Sequence, residues 1–221
     1  LWDNTIFMVC SEQGSSFPFG KWTCYDNGLH SGLVAHWAGV TAPNSVTGEL
    51  ISIADITPTL VEAAGGSLKP DDCDGTSFMK MLKGEKQTLH PYVYGAFSNC
   101  NIIGSQERIF PIRVIRSKSF SLIYNPNYGS QTSNVTIDSA LAMLDNSSEG
   151  GRDVASSWVK QSRTNPLVRK LHHRPEYELY NLEKDPYELK NEINNPEYHA
   201  VAAELKKQLH AKLAELGDAD P

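Results

Sequence analysis

The sequence predicts an α/β chain of two textures, and three observations predict it. Near the start a continuous apolar run, Thr5-Ile6-Phe7-Met8-Val9-Cys10, reads as a strand buried on both faces, as in a parallel sheet. Up to about residue 88, strand-like runs alternate with helix signals. From about residue 90 the pattern becomes hairpin-like strands, and the chain closes with one long amphipathic helix. The expected division is therefore 1–89, an α/β part, and 90–221, a smaller α+β part with an antiparallel sheet.

In order along the chain, a strand over 4–10 is followed by an irregular loop to about residue 31. A second strand spans 32–37, and a short strand or turn lies near 49–53. A helix is expected over 56–64, with Asp55 as its N-cap and Gly65-Gly66 as its stop. A shorter helix over 76–82 opens after Asp74-Gly75 and ends at Gly84. Strands 92–97, 112–117 and 120–124 follow, the last two joined by a Lys118-Ser119 turn. Residues 126–150, rich in Asn, Ser and Gly, read as a long loop, followed by a helix over 152–163 and a strand over 177–181. The final helix, 196–216, has Asn195 as cap, Pro196 at its first position, Val201, Leu205, Leu209 and Leu213 at i+4 spacing, and Gly217 as stop.

Composition excludes several classes. With 40% hydrophobic residues in 221, the chain is long enough to bury a core. Its 26 acids and 20 bases, net −6, are spread along the chain without a basic stripe, which argues against nucleic acid as a partner. No run of about 18 apolar residues suggests a membrane span. Cys10, Cys24, Cys73 and Cys100 form no C-x-x-C pair, which argues against zinc and leaves free thiols and disulfides both open. The start, Leu-Trp-Asp-Asn, leads almost at once into a buried-type strand that needs neighbours, so an N-terminal part of the same protein is expected as a partner of this chain.

The polar turn after the first strand is the first candidate site, because loops at strand ends are where open α/β sheets bind ligands. Glu12 and Gln13 follow the strand directly and offer hard oxygen ligands suited to Ca²⁺ or Mg²⁺. Lys21, in a Gly-Lys step, is a compact cation suited to an oxyanion. On residue types alone, a solvated turn is the usual explanation of these residues.

Six segments in order resemble the sulfatase family of the alkaline-phosphatase superfamily, in its C-terminal portion. They are DNTIFMVCSEQG, GKWTCYDNGLHSGLVAHWAG, ISIADITPTLVEAAGG, DGTSFMKML, PIRVIRSKSFSLIYN and ELYNLEKDPYELKN. The resemblance is nearest in flavour to heparan N-sulfatase-like and bacterial glycosaminoglycan sulfatases. It implies the end of a sulfatase-type catalytic α/β domain over 1–89. Over 90–221 it implies an α+β subdomain with a four-stranded antiparallel sheet and a long terminal helix. It also implies a hydrolase acting on O- or N-sulfate of a sulfated saccharide, with a formylglycine nucleophile and a divalent cation, commonly Ca²⁺. By position, Glu12 and Gln13 match metal ligands of the family and Lys21 its sulfate-binding lysine. Arg108 and Arg113 are candidates to meet a sulfated sugar. A periplasmic, secreted or lysosomal location goes with the family.

The sequence also departs from that pattern. The acidic turn of the family carries Asp followed by Asn or His. Glu12 and Gln13 are one methylene longer, so their backbone must stand back by about 1.5 Å to place the same oxygens. The W-P-G of the family is Trp37-Ala38-Gly39, and His30 stands where an Arg is frequent. No C-x-P-x-R or S-x-P-x-R occurs in the 221 residues, so no catalytic nucleophile is assigned, and the chain alone is expected to be inactive. A phosphodiesterase or phosphonate hydrolase of the same superfamily is the alternative reading, as is a catalytically silent binding or structural fragment. His90, His172 and His173 are expected to be surface or structural, Asp55 a cap, and Asn134 and Asn146 formal glycosylation acceptors.

Overall fold

The apolar run near the start forms strand β1 (Ile6–Cys10), which pairs antiparallel with β2 (Leu33–Trp37), Ile6 opposite Trp37 and Cys10 opposite Leu33. This corrects the parallel strand buried on both faces that the run suggests. Met8, Leu33, Ala35 and Trp37 pack against Phe78, Met79 and Leu82. On the other face Phe7, Val9 and Val34 are 49%, 50% and 65% exposed. Side chains alternate across a strand, but an all-apolar run carries no polar residue to mark the open face. The computed structural model describes residues 2–14, 18–98, 110–130, 132 and 165–218. Among the described residues between β1 and β2 in the sequence is a short helix, α1 (Asp26–Leu29).

The chain divides into two compact units, Leu1–Glu12 with Ser31–Val93, and Gln13–His30 with Tyr94–Pro221. A single cut at 89/90 does not describe them, because Gln13–His30 groups with the C-terminal residues. The physical cause lies in side chains of that segment: Cys24 and Tyr25 are buried in one cluster with Ile112, Val114, Ile123 and Tyr180.

In the first unit, residues 49–52 form no strand and lead into a 3-10 turn (Ile53–Asp55) and helix α2 (Ile56–Ala63). Asp55 does not cap α2 as expected. Ser52 closes a capping box on the 3-10 turn, and the Asp55 carboxylate accepts from the Ser52 N–H at 2.7 Å and the Thr76 N–H at 2.7 Å. The Phe78 N–H is likewise taken, by the Thr59 hydroxyl at 3.0 Å, and helix α3 is confined to Met79–Leu82 rather than 76–82.

The second unit is built on a four-stranded sheet, β3 (Val93–Phe97), β4 (Ile112–Arg116), β5 (Phe120–Tyr124) and β6 (Tyr177–Asn181), in that order. β4–β5 and β5–β6 are antiparallel, with Ile115, Leu122 and Leu179 in register. Helix α4 (Pro166–His172), capped by Asn165, is an element the sequence reading missed. Helix α5 (His199–Glu215) packs on β4 and β5. It follows a 3-10 turn begun by Asn195 and Pro196, buries Leu205, Leu209 and Leu213, and ends at Gly217 with φ +69°. Ala202 is buried where Val201 was expected. The expected helix over 152–163, most of the loop over 126–150, Cys100, Asn134 and Asn146 lie outside the described residues.

Candidate functional site

The residue before Glu12 is fixed by the β1–β2 pair. The Ser11 N–H donates to the Gly32 carbonyl at 2.9 Å, and the Ser11 hydroxyl accepts from the Gly32 N–H at 2.8 Å, extending the pairing past Cys10. Glu12, which closes the first stretch of the first unit, is exposed, and no hydrogen bond or ion pair among the described residues occupies its carboxylate. Gln13 opens the second unit and is equally exposed and unengaged. Its neighbour Gly14 is pressed against α1: a Cβ there would lie 1.7 Å from the Asn27 carbonyl oxygen, so only glycine allows the approach.

Lys21 sits in a tight loop of the second unit. Phe19 and Trp22, on either side of Gly20-Lys21, have φ of 61° and 67°, a left-handed backbone that bulky residues rarely adopt. The Thr23 hydroxyl donates to the Gly20 carbonyl at 2.6 Å across the turn. Gly28 lets α1 close on it, since a Cβ would meet the Gly20 carbonyl at 2.5 Å. The Lys21 ammonium lies 5.8 Å from the Trp22 ring centroid and has no acidic partner among the described residues.

Below this loop lies a buried polar cluster. The Glu178 carboxylate on β6 accepts from the Tyr25 hydroxyl at 2.7 Å, the Tyr180 hydroxyl at 2.5 Å and the Asn125 amide at 3.0 Å. Burial and the adjacent carboxylate push both tyrosine hydroxyls well above their ordinary pKa, so they remain donors. The Lys170 ammonium on α4 lies 5.4, 4.9 and 4.6 Å from the rings of Phe19, Tyr25 and Tyr180 and donates to the Glu188 carbonyl. Burial lowers its pKa. The Glu188 carboxylate accepts from the Asp26 N–H at 2.6 Å; burial raises its pKa and that hydrogen bond opposes the rise. Arg116 pairs with Asp26.

Sequence reasoning missed this cluster. The signal available was Glu178 between Tyr177 and Leu179 in an apolar strand, because a charge in such a place is retained only with partners.

Arg113 is buried, and its Nε and Nη2 reach the two Asp218 oxygens at 2.5 and 2.9 Å. Nη1 donates to the Ile112 carbonyl at 3.0 Å. That guanidinium is committed to an acid, as arginines in hairpins commonly are, so a sugar contact by Arg113 requires this pair to open. Arg108 lies outside the described residues. His90 is structural: its Nε2 lies 3.0 and 2.9 Å from the two oxygens of buried Asp55. His172 Nδ1 lies 3.3 Å from the Thr132 carbonyl. Cys10, Cys24 and Cys73 are free thiols, and burial raises the Cys24 pKa to about 12, which keeps it protonated.

As metal ligands, Glu12 and Gln13 have the right donor chemistry and unoccupied oxygens. Calcium takes about six to eight oxygens, however, and no group of three His, Cys, Asp or Glu able to hold a metal occurs among the described residues. Two side-chain oxygens are fewer than such a centre needs, so neither residue makes one by itself. No helix among the described residues is long and apolar enough to cross a membrane.

The family profile described as N-sulphoglucosamine sulphohydrolase, C-terminal, matches residues 14–133, more than half of the chain. The chain belongs to this sulfatase family. An ulvan-active sulfatase of Formosa agariphila is 33% identical to it over 218 residues, 99% of this chain and 39% of that protein. The N-sulphoglucosamine sulphohydrolase of Homo sapiens is 24% identical over 225 residues, 94% of this chain and 41% of that one. The chain thus spans about two fifths of the length of these sulfatase relatives. Among solved structures, one determined with its substrate D-glucosamine-2-N,6-O-disulfate has the same fold. It aligns with a TM-score of 0.63 and 21% identity, over 99% of this chain and 36% of that one. The sulfatase fold, with its small antiparallel sheet and terminal helix, accounts for both units.

Proposed function

We propose that this chain is part of a sulfatase, a sulfuric ester hydrolase that removes sulfate from a sulfated saccharide. The observation that carries the reading is the family match over residues 14–133, supported by the similarity to an ulvan-active sulfatase. That the relatives named above are sulfatases favours this chemistry over a phosphodiester or phosphonate hydrolase of the same superfamily. Lys21 would hold the sulfate group as a point charge, unopposed by any acid among the described residues. Glu12 and Gln13 would give two oxygens to a divalent cation, Ca²⁺ or Mg²⁺, which when bound supplies Lewis-acid polarisation of the sulfate oxygens. The nucleophile, a formylglycine in this family, has no C/S-x-P-x-R source in these residues and would come from another part of the protein. A location outside the cytoplasm, periplasmic, secreted or lysosomal, goes with the same proposal.

The test is sulfate release from ulvan oligosaccharides and glucosamine N-sulfate by the intact gene product. Lys21→Ala is expected to raise KM at least about tenfold, the loss of one charge-assisted contact. Glu12→Ala is expected to weaken the Ca²⁺ dependence of turnover. Unchanged KM and unchanged Ca²⁺ response in these variants would overturn the site assignment. Turnover of an aryl sulfate by the 221-residue chain alone would overturn the placement of the nucleophile elsewhere.

A further inference from the structure

We propose that Lys170 and Glu178 are positioning residues for Lys21, acting through Phe19 and Tyr25 on the two flanks of its loop. The inference rests on the reading of Lys21 as the sulfate-holding cation and adds what holds that cation in place. Neither Lys170 nor Glu178 is near Lys21 in sequence, and the two come from different elements, α4 and β6.

The loop needs holding. Phe19 and Trp22 carry left-handed backbones at φ 61° and 67°, which persist only where the surroundings over-determine them. On the N-terminal flank the Phe19 ring stands edge-on to Tyr25 at 5.2 Å, with the Lys170 ammonium 5.4 Å from its centroid. On the C-terminal flank the Thr23 hydroxyl ties back to Gly20, Cys24 is buried, and the Tyr25 hydroxyl is taken by Glu178. Both flanks therefore end on one group, half-buried Lys170 with buried Tyr25, Tyr180 and Glu178. Lys170 also faces Tyr180 and the Glu188 carbonyl, and Glu178 also holds Tyr180 and Asn125, so each anchor is itself fixed on a helix or strand. A second attachment runs through Glu188, which accepts from the Asp26 N–H one residue beyond Tyr25. Glu178 and Glu188, the first and last residues of the ELYNLEKDPYE segment, thus grip adjacent residues of the stretch that carries Lys21. A lysine on a four-carbon stem has wide freedom, and a fixed backbone confines where its charge falls.

A double-mutant cycle in the intact gene product tests this, read as the inhibition constant of inorganic sulfate against turnover of an aryl sulfate. Lys170→Met and Tyr25→Phe are each expected to weaken sulfate inhibition about fivefold, near the worth of one hydrogen bond. In a Lys21→Ala background the same substitutions are expected to change it less than about twofold, because their effect passes through Lys21. Lys170→Arg, which keeps a cation over the rings, is expected to recover most of the loss. An equal factor in both backgrounds would overturn the positioning role and leave a general structural one. If Lys21→Ala itself leaves sulfate inhibition unchanged, the underlying reading of Lys21 fails and this inference falls with it. Tyr25→Phe keeps the buried ring and supplies the cycle if Lys170→Met does not fold, as judged by its thermal transition.

Discussion

The two units are held together by different physics. Among the described residues, the first unit buries Phe78, Met79 and Leu82 as its apolar centre, under a two-stranded sheet whose far face is open. The second buries most residues of β4, β5 and β6. One face there carries Ile112, Val114, Ile123 and Tyr180, and the other carries Ile115, Leu122 and Leu179 in register. In the first unit the connections run through a polar hub instead: buried Asp55 joins the Ser52 and Thr76 backbones and the His90 ring. An apolar core tolerates no lost volume, whereas a polar hub tolerates no lost acceptor.

The largest expected effect is therefore in the second unit. Leu122→Ala removes a fully buried side chain from the middle of the sheet and is expected to destabilise it by about 3–4 kcal/mol. Urea unfolding followed by circular dichroism measures this, and a loss under about 1 kcal/mol would mean the sheet is not the rigid part. In the first unit the matching lesion is Asp55→Ala, which strands two backbone N–H donors and the His90 ring. About 3 kcal/mol is expected, from roughly 1–3 kcal/mol per buried unsatisfied donor. If Asp55→Ala proves milder than Met79→Ala, the unit is held by its apolar centre after all.

This contrast also explains what could be read in the sequence. β5 and β6 lie at the expected 120–124 and 177–181, where strand-type residues coincide with burial on both faces of the sheet. The terminal helix was legible through Asn195, Pro196 and its leucines. The same Asn-Pro start at Asn165-Pro166 marks α4, whose seven residues are too few to show a period. Pairing direction was not legible: β1 is apolar throughout and carries no sign of which face its partner leaves open. For the site, Glu12, Gln13 and Lys21 stand out only by their place in the ordered sulfatase-like segments. Tyr25 and Glu178 meet across 153 residues, and no local pattern announces a contact of that span.

A smaller effect is expected at Arg113–Asp218, where the second unit does use an ion pair. Hydrogen bonding to Arg113 holds the Asp218 pKa below its ordinary value. A depressed carboxylate stabilises the fold fully above its unfolded pKa, near 3.9, and that contribution is lost as pH falls through the lower folded value. Asp218 is partly exposed, so solvent screening limits the effect. Asp218→Asn is expected to cost about 1 kcal/mol at pH 7 and to show a shallower fall in Tm between about pH 4 and pH 2 than the parent. Identical acid limbs would show that other groups govern that range.

The smallest effect is expected on the open face of β1–β2. Val34 is 65% exposed and sits beside Val9 in register. Val34→Thr keeps the β-branched shape and adds a hydroxyl that water can satisfy, so a change within about 0.5 kcal/mol is expected. In the intact gene product the same substitution reads something further. A hydroxyl placed against a dry apolar neighbour without a partner costs about 1–3 kcal/mol. A loss of that size there, with none in the 221-residue chain, would mean that another part of the protein covers this face. The polar hub at Asp55 would then be the first unit's inner support rather than its main one.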